Sequence, residues 1–144
     1  MKTQNYSNHK RYVIGFHVVL ALLVLFVLIG SIVNLVISFQ AAHDYFSASL
    51  IFVIAVMFSL IYGYSRTFAL RAQDRAIRAE ENLRHFALTG KLLNAKLTME
   101  QIIALRFAPD EEFVNLAEKS VNENLSGDEI KKSIQNWKGD YYRV

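Results

Sequence analysis

Cysteine is absent from the 144-residue chain, which excludes disulfides, thiolate metal sites and a cysteine nucleophile. Charge is absent from two long stretches: residues 13–39 and 46–64 contain no Asp, Glu, Lys or Arg. No glycine-rich phosphate loop and no nucleophile elbow occurs. Histidine is sparse and scattered, and no two of His9, His17, His43 and His85 share the helical spacing of metal ligands. His17 reads as an interfacial residue and His43-Asp44 as a solvated loop pair. Asp110-Glu111-Glu112 reads as helix-start electrostatics before it reads as a metal site. No catalytic residue, metal ligand or cofactor is therefore expected, and an enzyme is the least favoured class.

What is present is apolar, and unevenly so. Hydrophobic residues make up 53% of the chain, yet nearly all charge falls after residue 64. The stretch 13–39 is longer than a hydrocarbon core of about 30 Å requires at a rise of about 1.5 Å per residue, while 46–64 just suffices. Both read as membrane spans. The first is too long for the hydrophobic region of a signal peptide and lacks a small-x-small cleavage site after it. The connecting loop, residues 40–45, carries no Lys or Arg. Lys2, Lys10 and Arg11 precede the first span, and Arg66, Arg71, Arg75 and Arg78 follow the second. The positive-inside rule then puts both termini in the cytoplasm. The net charge of +3 is accordingly a topology signal before it is one for nucleic acid. Incidental contact of those four arginines with anionic lipid is expected as well.

Gly30, Ser31 and Asn34 mark a face of the first span where another helix could approach closely. Asn34 is the strongly polar side chain deep in that span. An amide in lipid seeks a partner, worth about 0.6–2 kcal/mol when found. Two readings stand: a contact with another chain, or an amide that reaches water or bonds the second helix of its own hairpin.

From Arg66 to Gly90 no helix breaker appears, so the second span is expected to continue as a stalk. Ala69, Ala72, Ala76, Ala79, Leu83, Phe86 and Gly90 recur at alternating spacings of three and four, a heptad stripe. Either the protein's own C-terminal helices cover this stripe, or it is a parallel homodimer seam. Asp74 with Arg78, and Glu80 with Arg84, are placed as supporting i,i+4 pairs.

Beyond residue 96 one helix-start pattern occurs twice. Leu97-Thr98-Met99-Glu100-Gln101-Ile102 and Leu125-Ser126-Gly127-Asp128-Glu129-Ile130 each combine a hydroxyl N-cap, a capping-box partner three residues on, and a hydrophobic staple. Pro109 and the three acids after it suit a helix start between them. Its apolar face would be Phe113, Leu116, Ala117 and Val121. Ile130, Ile134 and Trp137 extend the last helix toward Gly139. Helices this short need the stalk or a partner to complete a core. Trp137, Tyr141 and Tyr142 are the aromatics available for packing or docking. The tail would be ordered, with the tyrosines over a seam and Asp140 and Arg143 on its polar rim; a docking peptide and a loose tail are the rivals.

The fold class is thus all-α: a two-helix transmembrane hairpin whose second span continues into a stalk helix followed by three short helices. Its divisions are an N-terminal tail (1–12), the hairpin (13–64), a stalk and linker (65–96) and a small helical module (97–144). Asp74-Arg75-Ala76-Ile77-Arg78 with Glu80-Glu81, the run Gln101-Ile102-Ile103-Ala104-Leu105-Arg106-Phe107-Ala108, and the ending Ile134 with Trp137 and Asp140-Tyr141-Tyr142-Arg143-Val144 resemble an uncharacterised family of small bacterial two-span proteins. That resemblance implies a bacterial inner-membrane location and no assigned activity. Three roles are compatible with these features: a non-catalytic adaptor or accessory subunit (the favoured one), a homo-oligomeric structural protein, or a signalling protein. The short outer loop leaves the last little surface for an external ligand.

Overall fold

The computed structural model describes residues 4–9, 11–41 and 43–141, and these divide into two compact units. One is Tyr12–Ala69; the other joins Met1–Arg11 to Leu70–Val144. Among the described residues every regular element is helical. A π-helical turn at Gly15–Leu20 leads into α1 (Ala21–Gln40), followed by α2 (Tyr45–Thr89), α3 (Met99–Leu105), α4 (Asp110–Asn122) and α5 (Gly127–Ser133).

The Tyr12–Ala69 unit is a helical hairpin. Gly15–Gln40 and Tyr45–Thr89 are both long and apolar enough to span a membrane. Their inward faces repeat at spacings of four and three: His17, Ala21, Val24, Leu28, Ser31, Leu35 and Ser38 on one helix, and Ala48, Phe52, Ala55, Ser59 and Tyr62 on the other. Ala48 and Ala55 are almost fully buried, because small side chains let the two backbones close up. Serine can sit in this seam because it satisfies itself: Ser31 donates to the Leu28 carbonyl at 2.7 Å and Ser59 to that of Ala55 at 2.9 Å. At the other end of the hairpin Tyr62 donates to the Phe16 carbonyl at 3.3 Å and stacks on the Phe16 ring at 4.8 Å. Between the helices Asp44 takes a positive φ of 52°, which closes the tight loop; Ala42 lies outside the described residues.

α2 ends at Gly90, whose φ of +74° is the left-handed stop that a side chain disfavours; its N–H bonds the Phe86 carbonyl at 2.8 Å. Both capping boxes form, on Thr98 with Gln101 and on Ser126 with Glu129. The core of the second unit is Ile102, Leu105, Phe107, Phe113, Leu116 and Ile130, with α3 packed against both α4 and α5 and Ile77 of α2 reaching in.

α5 is shorter than its apolar spacing suggests. It stops at Ser133, and Ile134 is already extended at ψ 122°. The reason lies in α4. Both carboxylate oxygens of Glu112 accept the backbone N–H groups of Gln135 and Asn136 at 3.0 Å, and the Phe107 carbonyl takes that of Lys138 at 2.8 Å. Those donors are lost to the helix, and the extended segment carries Trp137 onto Phe107.

Candidate functional site

The module's polar side chains hold its own elements together. Gln101 is buried; its amide oxygen accepts from the Thr98 N–H at 2.8 Å while its nitrogen donates to the Leu125 carbonyl at 2.7 Å. Arg84 leaves the expected partner Glu80 aside. It pairs with Glu81 at 3.1 Å and Asp110 at 2.6 Å, donates to the Ala108 carbonyl at 2.8 Å, and lies over the Phe113 ring at 4.3 Å. Burial pushes the Glu81 carboxyl above its ordinary pKa, with the Arg84 bond pulling the other way. Asp110 and Glu112 therefore do more than complement a helix dipole: one clamps the stalk and the other clamps the segment after α5.

Residues 4–9 and 137–140 meet on this module. His9, only 8% exposed, lies edge-on to Phe107 at 5.7 Å and beside Trp137 at 5.6 Å; Phe107 and Trp137 are 4.9 Å apart. Tyr6 donates to Asp128 at 2.7 Å, and Gln4 accepts the Asp140 N–H at 2.7 Å. Buried Arg106 pairs with Asp140 at 3.0 Å and covers the Phe107 ring at 4.8 Å. Burial drives its guanidinium pKa down and Asp140 opposes this. Nothing in the sequence of the tail separates His9 from an ordinary solvated histidine. A polar stretch without periodicity carries no burial signal.

The C-terminal aromatics divide. Trp137 packs; Tyr141 is 53% exposed rather than covering a seam, its ring lying over Gly139, where an added Cβ would come within 2.6 Å of it. Asp140, expected on a polar rim, is the residue that reaches inward. Tyr142, Arg143 and Val144 lie outside the described residues. On α1, Ser31 is in the hairpin seam, whereas Gly30 and Asn34 are on its outer surface, so Asn34 does not bond the second helix of its own hairpin. Space around Gly30 is open.

Of the stalk stripe, Ala69 is half-buried in the hairpin unit, while Ala72, Ala76, Ala79, Leu83, Phe86 and Gly90 are exposed. The module does not cover them. It packs on the opposite face of α2, through Ile77, Glu81 and Arg84, because those positions carry the buried apolar and clamping groups. Arg66 is half-buried, and Arg71, Arg75 and Arg78 are exposed. A groove of about 340 Å³ opens between the end of α2 and α4, lined by His85, Lys91, Leu92, Asn94, Leu97 and Val121 among others. Among the described residues no three His, Asp or Glu side chains group as metal ligands.

These features define an all-helical chain with two helices fit to span a membrane and a small clamped helical module. Over residues 1–144 the sequence matches a family of unknown function, DUF6526, and the chain belongs to that family. No curated protein and no solved structure matches it.

Proposed function

We propose that the chain is a non-catalytic accessory protein of the bacterial inner membrane: a hairpin crosses the bilayer and a clamped helical module is held at the cytoplasmic face with both termini. The observation that carries this reading is the packing of residues 4–9 onto the module, with His9 between Phe107 and Trp137 and Tyr6 on Asp128. A tail and a post-span segment that share one core must lie on the same side of the membrane. The charge asymmetry favours the cytoplasmic side. Support for the spanning role comes from burial: only 6% and 11% of the most apolar stretches of the two helices are covered by protein, unlike the core helices of a soluble domain. Bilayer is the solvent such surfaces require.

An adaptor role is favoured because Gln101, Arg84, Glu112 and Asp140 are occupied in fastening elements to each other. What the module offers outward is surface: exposed Leu88 in the last turn of α2 and exposed Leu92, which lines the groove. A protein partner fits that better than a substrate. Two measurements test this reading. A reporter fused after Val144 should be active only in its cytoplasmic form and one inserted after Ala41 only in its external form; the reverse pattern overturns the orientation. Purification in mild detergent should retain a stoichiometric foreign subunit, and a preparation of this chain alone would overturn the accessory role.

A further inference from the structure

The stalk leaves one face of α2 exposed, and the register of that face bears on what could cover it. With Ala76, Leu83 and Gly90 at heptad position a, Ala72, Ala79 and Phe86 fall at d. Ile77 and Arg84 are then at b, and Asp74 and Glu81 at f. Positions b and f form the outward face of a coiled coil, and the module packs mainly there, reaching the flank at g only where Asn82 accepts the Leu93 N–H at 3.2 Å. Module and partner helix therefore do not compete for α2. The seam that remains ends in large side chains left bare, Leu83 at 68% and Phe86 at 51% exposure.

The flanking charges select the partner. Arg75 is at g and Glu80 at e of the next heptad, both exposed, and among the described residues neither forms an ion pair within the chain. In a parallel two-stranded coil, g of one helix faces e five residues further along the other. This stretch is thus complementary to itself: Arg75 meets the partner's Glu80 on both sides of the seam. An antiparallel pairing of the same stripe would set Glu80 against the partner's Glu80. We infer that two copies of this chain pair in parallel along α2 from Ala72 to Phe86, with reciprocal Arg75–Glu80 pairs. The alanines let the helices close up at one end of the seam, and Leu83 and Phe86 fill it at the other. This goes beyond the accessory role, since it presents the module twice, side by side.

The cysteine-free sequence makes the test direct. In the full chain in mild detergent, Ala79→Cys at d should form disulfide-linked dimers, and Arg78→Cys, exposed at c, should form few. Adding Arg75→Glu to Ala79→Cys should cut the linked fraction several-fold, and adding Glu80→Arg as well should restore it. Light scattering combined with subunit stoichiometry should count two copies of the 16.5 kDa chain per particle, whatever foreign subunit co-purifies. Equal linkage at both cysteines, linkage at neither, a monomeric parent, or a charge swap that fails to rescue each overturns the pairing. Trp137 emission matching the parent shows that each variant has kept its module. The readout does not depend on which way the hairpin sits in the bilayer, so it fails separately from the topology.

Discussion

Gln101 is both a helix cap and a tie. Its side chain closes the capping box on Thr98 and reaches the Leu125 carbonyl just before α5 begins. Gln101→Ala should therefore cost about 1–3 kcal/mol, because it removes one cap and leaves a half-buried carbonyl unpaired. Denaturant unfolding of the purified chain measures this, and an unchanged midpoint would show that water replaces the amide without loss. Glu81 makes a different prediction, through pH. Burial raises its carboxyl pKa, so the folded module binds that proton more tightly than the unfolded chain does. This contribution to stability is complete below the ordinary value of 4.5 and is lost as pH rises through the raised value. Arg84 and, more weakly, Lys138 oppose the shift, and Glu80 adds to it. Glu81→Gln should thus gain most in Tm over the parent near neutral pH, and that gain should shrink as the pH falls toward 4.5. A gain independent of pH would mean that Glu81 carries no buried charge.

At the scale of elements, the segment that decides the module's extent is the N-terminal tail. Because the chain has a single tryptophan, its emission reports on the surroundings of Trp137, where His9 and Phe107 both lie. Deleting residues 1–9 should shift Trp137 emission to the red and lower Tm, since His9 shields one side of the indole. Unchanged emission would contradict the docked tail. Asp140→Ala should cost about 1–3 kcal/mol by leaving the buried Arg106 guanidinium without its carboxylate. Local chemistry made some of these elements legible in the sequence. Thr98 with Gln101, and Ser126 with Glu129, announce helix starts because the whole signal lies within four residues. The uncharged runs announce the long helices because an unbroken apolar stretch of that length has few alternatives. What was not legible depends on distant partners. Trp137 continues the α5 spacing on paper, but Glu112 and Phe107 take the donors that the helix needs. His9 and Asp140 look like surface residues until Trp137 and Arg106 are brought beside them. The stripe on α2 was readable as a pattern. Which side the module would cover was not, because Ile77 is one apolar residue among charges and the rest of the core it joins lies beyond residue 92.

For the whole molecule, the central claim is that the two ends of the sequence share one module on one side of a membrane, with the short loop on the other. The absence of native cysteine permits a direct measurement with single substitutions at exposed positions: Ser7→Cys in the tail, Asn136→Cys beyond α5, and His43→Cys in the loop. Intact cells are treated with a maleimide that cannot cross the membrane, before and after permeabilisation. His43→Cys should label in intact cells, while Ser7→Cys and Asn136→Cys should label only once the membrane is opened. Labelling of either tail or module in intact cells, or a split between the two, would contradict the account.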